Sequence, residues 1–353
     1  MENSITRKTL KKKIIRFIED KKSATFDDLR FAIFNYQVKH NKPFRYYLVH
    51  ILFQKPLYVS TELFKDFPIT CARKRNRYFE SSGTTRKNRS RVYQEDFDVY
   101  TASLLKNFKD YMLPDSISLP FLILFPALSE IKHSSLAFMF DAVSKEFSLS
   151  QPQYFVRNNK YYFNDLYKTL KKYQQKRQPI MLLTTSLSLA FFMEYLHEKN
   201  YKLKLSYLSR IMDTGGYKGI SLSIAQKDLH GLVYKQLGIS RDFIVNEYGM
   251  CEMNSQFYDG RLRKKLKHSS QGISLFKNIP HWVHTEVINP QGIPLGTDQK
   301  GTLVHYDLAN LDTVYSIRTN DIGIKKNNGF KIVGRHTAEA PKGCSLISEV
   351  IKR

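Results

Sequence analysis

Residues 78–91 read Y-F-E-S-S-G-T-T-R-K-N-R-S-R, and the fold turns on how this stretch is understood. Five small residues, Ser81, Ser82, Gly83, Thr84 and Thr85, stand between a basic approach (Arg73, Lys74, Arg75, Arg77) and a basic exit (Arg86, Lys87, Arg89, Arg91). Hydroxyl side chains around a glycine let successive backbone N–H groups converge on an anion. The flanking cations add charge, so a polyphosphate suits the pattern; a Ser/Thr-rich surface turn is the plainer alternative. No G-x-x-x-x-G-K-[ST] surrounds it, which excludes a Walker loop.

Working outward, residues 5–55 carry helical spacing, with Leu29, Ile33, Phe34 and Val38 on one face, and Pro43, Pro56 and Pro68 punctuate the approach. Residues 94–112 (Phe97, Tyr100, Leu104, Leu105, Phe108) return to that spacing. They predict a helix after the loop, the order suited to holding phosphates. Beyond it, strand-like Leu119–Leu128, Ile180–Thr185, Leu203–Met212 and Phe243–Tyr248 alternate with helical 161–177, 187–199 and 221–237. Such alternation predicts an α/β layered domain with largely parallel pairing. From about residue 280 short strands split by Pro290, Gly292, Gly296 and Gly329 predict a small β-rich subdomain with hairpins. The expected organisation is a helical N-terminal extension (1–58), an α/β nucleotide-binding core (59–279), the β-rich subdomain (280–335) and a C-terminal arm (336–353).

Composition narrows the class. At 42% hydrophobic and 13% aromatic the 353-residue chain has ample material for a core and is not a disordered protein. A net charge of +24 needs an explanation, and basic runs recur at Arg7–Lys13, Arg73–Arg91, Lys168–Arg177 and Arg261–Lys267. No nucleic-acid-binding signature accompanies them, so a specific nucleic-acid partner is not expected. Cys71, Cys251 and Cys344 lie far apart with no C-x-x-C, which fits a reducing cytoplasm better than a disulfide or zinc framework. The apolar residues after Lys13 are interrupted by Arg16, Glu19 and Asp20, so no secretory signal is expected. Pro120–Leu128 and Met181–Leu196 are too short or too hydroxyl-rich to be transmembrane segments.

Four short motifs fall in a telling order. Ser81-Ser-Gly-Thr-Thr85 is followed by Asp213-Thr-Gly-Gly216, by Tyr248-Gly-Met-Cys-Glu252, and by Arg318-Thr-Asn-Asp321 with Gly329 and Gly334-Arg335. In this order the sequence resembles the adenylate-forming superfamily of acyl-CoA synthetases, aryl-CoA ligases and peptide-synthetase adenylation domains. Within it, Gly215-Gly-Tyr-Lys218, the short C-terminus and the ending from Gly334 to Leu346 resemble the acyl-protein synthetases of bacterial luminescence most. The resemblance runs from about residue 60 to the end.

It implies an α/β fold like that superfamily's large N-terminal domain, with the C-terminal domain reduced to a short tail. It also implies that ATP and Mg²⁺ activate a carboxylic acid, a fatty acid on the luminescence-type resemblance, as an acyl-adenylate. Ser81, Ser82, Gly83, Thr84 and Thr85, with Arg86 or Lys87 nearby, correspond to the residues holding the β,γ-phosphates. Glu252 corresponds to the Mg²⁺ ligand, Asp321 and Arg335 to the ribose contacts, and Tyr248, Gly249 and the Gly215-Gly216 turn to the adenine site. His133 falls near the wall of the acyl pocket. Cys344 corresponds to a cysteine that takes the acyl group as a thioester and presents it to a partner acyl-reductase; packing of the tail is its other reading. Cys251 is expected to be structural and Cys71 to lie in the core.

The pattern is broken in three places. Arg86 stands where the superfamily usually has Gly, and Cys251 where it has Thr. Only 18 residues follow Arg335 (353 − 335), too few for the domain that carries the superfamily's catalytic lysine. Lys218 and Lys342 are both candidates to supply that charge. Transfer to coenzyme A, a carrier protein or an amine, and a degenerate basic binding module, are the alternatives to self-acylation.

Overall fold

In the computed structural model the described residues are 5–51, 57–81, 89–215, 226–267 and 276–336. The chain opens with α1 (Arg7–Glu19), α2 (Phe26–His40) and α3 (Lys42–Ile51), then β1 (Val59–Ser60), α4 (Leu63–Asp66), β2 (Tyr78–Glu80) and β3 (Arg91–Tyr93). Next come α5 (Asp98–Met112), β4 (Phe121–Pro126), α6 (Ser135–Phe147), β5 (Gln153–Arg157), β6 (Lys160–Tyr161), α7 (Phe163–Gln175) and β7 (Met181–Thr185). These are followed by α8 (Ser186–Glu198), β8 (Arg210–Thr214), α9 (Gln226–Leu237), β9 (Ile244–Tyr248), β10 (Phe257–Tyr258) and α10 (Arg261–Lys267). The chain closes on β11 (Lys277–Asn278), β12 (Val283–Ile288), β13 (Lys300–Asp307), β14 (Ser316–Lys326) and β15 (Gly329–Arg335).

Two compact units result. One comprises Met1–Lys106, Met250–Gln256 and Asn278–Arg353; the other comprises Asn107–Gly249 and Phe257–Lys277. In the second unit a seven-stranded sheet has the order β10-β9-β8-β7-β4-β5-β6. The pairs from β5 through β4, β7 and β8 to β9 are all parallel, and only the two ends are antiparallel. Phe121–Leu124 and Met181–Thr184 are buried on both faces, as parallel strands covered by helices must be. The expected strand at Leu203–Met212 is shorter than that. The Leu203 and Leu205 N–H groups donate to the Gln236 and Leu237 carbonyls at the end of α9, and the strand begins only at Arg210.

In the first unit β12, β13, β14 and β15 form an antiparallel sheet. β15 pairs with β14 only from Asp321 onward, and β1 adds in parallel at Ile317 and Arg318. The hairpins expected after residue 280 are therefore present, but β14 runs 11 residues to Lys326, longer than the short strands expected there. The N-terminal helices are also as expected. Thr6 caps α1 by accepting from Thr9 N–H, and Thr25 caps α2 by accepting from Asp28 N–H. Asp27 and Asp28 in the first turn of α2 suit its positive end. Leu10, Ile14, Phe17 and Ile18 line the buried face of α1, and Leu29, Ile33, Tyr36 and Gln37 that of α2.

Candidate nucleotide-binding site

The S-S-G-T-T stretch grows from a β-hairpin. β2 and β3 pair antiparallel, with Tyr78 opposite Tyr93, Phe79 opposite Val92 and Glu80 opposite Arg91. Ser81 N–H donates to the Ser90 carbonyl (3.0 Å), and Ser90 N–H donates to Ser81 Oγ (2.9 Å). This pair closes the base of the loop. Residues 82–88 themselves, including Ser82, Gly83, Thr84, Thr85, Arg86 and Lys87, lie outside the described residues. The helix expected over 94–112 is α5, which starts at Asp98; β3 stands between it and the loop, so the loop does not run straight into a helix N-terminus. Part of the basic flank is occupied by the protein. Arg91 and Arg89 pair with Glu80 (2.9 and 3.5 Å), and Arg77 donates to the Glu95 carbonyl (2.7 Å).

Glu252 lies on the segment Met250–Gln256, in the same unit as the hairpin base. Gln94, just past β3, donates to Asn254 Oδ1 (2.9 Å) and ties the two together. The Glu252 carbonyl accepts from Asn310 Nδ2 (3.0 Å), and Asn254 N–H donates to Asn310 Oδ1 (2.8 Å) and Asp307 Oδ2 (3.1 Å). Ser255 Oγ donates to Asp307 Oδ1 (2.7 Å) and accepts from the Trp282 indole N–H (2.9 Å). Burial pushes the neighbouring Cys251 thiol well above its ordinary value, and the Glu252 and Glu80 carboxylates push it the same way. A protonated, buried thiol is no nucleophile, in keeping with a structural Cys251. Cys71 is likewise buried, with burial and the Asp312 carboxylate pushing its thiol up.

Among the described residues no three His, Cys, Asp or Glu side chains converge to hold a metal. Glu252 offers a single hard carboxylate. That donor set fits Mg²⁺, which takes one or two carboxylates and completes its shell with phosphate oxygens and water.

Asp321 and Arg335 are directly opposite each other across β14 and β15. Arg335 Nε is 3.7 Å from Asp321 Oδ1, with the carboxylate largely sheltered and the guanidinium half exposed. The two residues singled out for the ribose are thus held by sheet register, 14 positions apart in sequence.

In the other unit the adenine-turn residues stand at the carboxyl ends of parallel strands, where open α/β sheets gather their ligands. Gly215 follows β8 with φ +84°, a conformation that costs any L side chain. Tyr248 ends β9, half-buried, its ring centroid 5.9 Å from that of Phe257, and Gly249 is exposed. Beneath them lies a buried polar cluster. Ser186 Oγ is 2.5 Å from Asp213 Oδ2 and 3.1 Å from the Gly215 carbonyl, so its one proton links the turn to the start of α8. Asn246 Nδ2 donates to Asp213 Oδ2 (3.2 Å), and Lys277 Nζ donates to both oxygens of Asn246 (2.5 Å each). Thr214 Oγ1 donates to the Glu247 carboxylate, and Asn246 N–H donates to Asp259 (3.0 Å).

Burial raises Asp213 and Asp259 above the usual carboxylate range and pushes Glu247 up to about 7; Thr214 and Lys277 pull Glu247 partly back. Burial lowers Lys277 in turn, against the pull of the three carboxylates. Asp213 Oδ1 is buried with no hydrogen-bond partner among the described residues.

Gly216, Lys218 and Cys344 lie outside the described residues, as does Lys342. His133 is half-buried, one residue before Ser134, which caps α6. Sequence reasoning passed over Asn254, Asp307, Asn310, Ser186, Asn246 and Lys277. The one available signal for the first group was Asp307-Leu-Ala-Asn310, a polar pair closing an apolar strand.

No protein-family model matches the chain, and no curated protein matches it. Solved structures do. An open conformation of 2-hydroxyisobutyryl-CoA ligase, in complex with 2-HIB-AMP and CoA, superposes with a TM-score of 0.59 at 11% identity, over 93% of this chain and 69% of that one. ATP-bound MatB from Rhodopseudomonas palustris gives 0.51 at 14% identity, over 73% and 47%. The long-chain-fatty-acid-CoA ligase FadD1 from Archaeoglobus fulgidus gives 0.51 at 16%, over 73% and 51%. The chain therefore spans about half the length of the latter two. The likeness is one of fold: an α/β architecture matching the N-terminal domain of adenylate-forming enzymes. Among the described residues no helix is long and apolar enough to cross a membrane.

Proposed function

We propose that this protein activates a carboxylic acid with ATP and then carries the acyl group on Cys344. The carboxylate attacks the α-phosphorus of ATP, the bond to the β-phosphate oxygen breaks, and acyl-adenylate and pyrophosphate form. The Cys344 sulfur then attacks the acyl carbon, AMP leaves, the thiol proton passes to solvent, and an acyl-thioester remains for a partner acyl-reductase or other acceptor protein. Ser81 to Thr85 and Lys87 hold the β,γ-phosphates. Glu252 holds Mg²⁺, which supplies charge neutralisation at those phosphates. Asp321 accepts from the ribose hydroxyls beside Arg335, and Tyr248, Gly249 and the Gly215-Gly216 turn take the adenine. Lys218 supplies the charge otherwise expected from a C-terminal-domain lysine.

The observation that carries the reading is the coincidence of the fold with the Asp321–Arg335 pair and with a buried Glu252 tied to the hairpin base. A second reading, transfer to coenzyme A, draws on the CoA complex of the 2-hydroxyisobutyryl ligase, which superposes on 93% of the chain. Intact mass after incubation with ATP, Mg²⁺ and a panel of carboxylic acids separates them. A hydroxylamine-labile adduct absent from Cys344→Ser supports self-acylation. Acid-dependent ATP–pyrophosphate exchange without an adduct moves the acceptor outside the chain. Neither signal, across a broad panel, leaves a degenerate basic binding module.

A further inference from the structure

The N-terminal helices are fastened to one loop, residues 307–315, and that loop holds the Glu252 segment. Gln37 of α2 is fully buried; its Nε2 donates to the carbonyls of Asn310 (2.7 Å) and Leu311 (3.3 Å), and its Oε1 accepts from Tyr315 N–H (3.0 Å). Asn41, between α2 and α3, donates to the Thr313 carbonyl (3.0 Å). Arg7 of α1 grips Asp312 with two nitrogens (2.6 Å each) and also meets Asp96 (2.8 Å). Asn310 is fully buried and spends all its amide on the next step: Nδ2 to the carbonyls of Glu252 and Val314, Oδ1 from Asn254 N–H.

We propose that Gln37 is a positioning residue for the Glu252 segment, acting through Asn310, so that the N-terminal helices set the geometry of the metal-ligating carboxylate. The proposal rests on the reading of Glu252 as the Mg²⁺ ligand. Its basis is the choice of residue. Leu29 and Ile33 on the same face of α2 already supply apolar packing, and a fourth apolar side chain at 37 would serve stability as well. A buried glutamine there is useful only for what it bonds, and all it bonds is this loop. Satisfied polar networks in a low-dielectric interior hold a single arrangement, because each lost bond strands a buried partner. Partners of metal ligands typically change metal affinity or activity by roughly 10–100-fold when removed.

The test uses the full chain and three variants. Gln37→Met keeps the volume and removes three hydrogen bonds; Ile33→Ala, elsewhere on α2, loosens the same helix by packing alone. Two quantities are read well below the melting temperature: amide hydrogen exchange across 250–256, and the Mg²⁺ concentration giving half-maximal ATP–pyrophosphate exchange. In Gln37→Met, exchange across 250–256 accelerates and the Mg²⁺ requirement rises about 10-fold or more. Ile33→Ala, with an equal or larger fall in melting temperature, leaves both near wild type. Gln37→Glu adds a pH readout: its carboxyl regains a donor for the Asn310 carbonyl only when protonated, so its Mg²⁺ requirement returns toward wild type as pH falls. Unchanged exchange across 250–256 in Gln37→Met, or equal shifts in Ile33→Ala, overturns the proposal. Accelerated exchange there, in a protein whose wild type shows no Mg²⁺-dependent activity, upholds the positioning and removes the metal role from Glu252 instead.

Discussion

Replacing Glu247 by Gln separates the charge of the cluster below the Gly215 turn from its shape. Glu247 is wholly buried, and burial pushes its carboxyl up to about 7 from an ordinary 4.5. A raised carboxyl means that the native state holds a proton the unfolded chain gives up. The stabilisation is therefore complete below pH 4.5 and is lost as pH rises toward and through 7. A gap of about 2.5 units corresponds to about 3 kcal/mol at 1.36 kcal/mol per unit. Glutamine matches the protonated carboxyl in size and still accepts from Thr214, but has no charge to desolvate. Urea unfolding followed by far-UV circular dichroism at pH 5, 6, 7 and 8 tests this. The variant's stability relative to wild type should climb with pH, gaining between 2 and 3 kcal/mol from pH 5 to pH 8. Asp213 and Asp259 titrate in both proteins, and Glu247 interacts with Asp213 and Lys277, so the difference curve reports position 247 together with that interaction. Parallel pH profiles, or a variant that falls behind as pH rises, would refute the idea that Glu247 folds protonated.

Other consequences can be checked as directly. Arg210 is fully buried with Asp115 bonding both terminal nitrogens, so Asp115→Ala strands a buried cation and should lower unfolding free energy by about 3 kcal/mol. Gly215→Ala forces a Cβ onto φ +84°, where no described residue comes within 4 Å of it, so a cost of about 1 kcal/mol or more in thermal unfolding is expected from the backbone conformation. Asp321→Ala should weaken ATP binding while leaving the melting temperature close to wild type, as measured by calorimetric titration and thermal shift. Cys251 and Cys71 should resist iodoacetamide in the native protein and react in urea, as read by mass spectrometry, because both thiols are buried and held protonated.

How much of this could be read from the sequence follows from range. The helices of the first 51 residues and the runs at β4 and β7 obey local periodicities, and they appear where expected. Asp321 and Arg335 were singled out by resemblance alone; the fold adds that β14 and β15, joined at Asn327-Asn328-Gly329, set them opposite each other. The β2–β3 hairpin was not legible, since three-residue strands of mixed polarity leave no alternation to count. Leu203–Ser209 looks like a strand and fails to be one because its backbone finds the end of α9 first. Least legible was Gln37: nothing in Phe26–His40 distinguishes a glutamine that faces water from one that holds the Asn310 carbonyl 273 residues away.

That separation also fixes an order of events during synthesis. α1, α2 and α3 are synthesised well before residues 310–315, so the polar groups of Arg7, Gln37 and Asn41 find their partners only once those residues have followed. At roughly 5–20 residues per second, that wait is on the order of 15–55 seconds. Through it Gln37 and Asn41, both fully buried in the folded chain, stay without their final partners. The fastening of these helices to residues 310–315 therefore belongs to the late part of folding, although the helices themselves are made early.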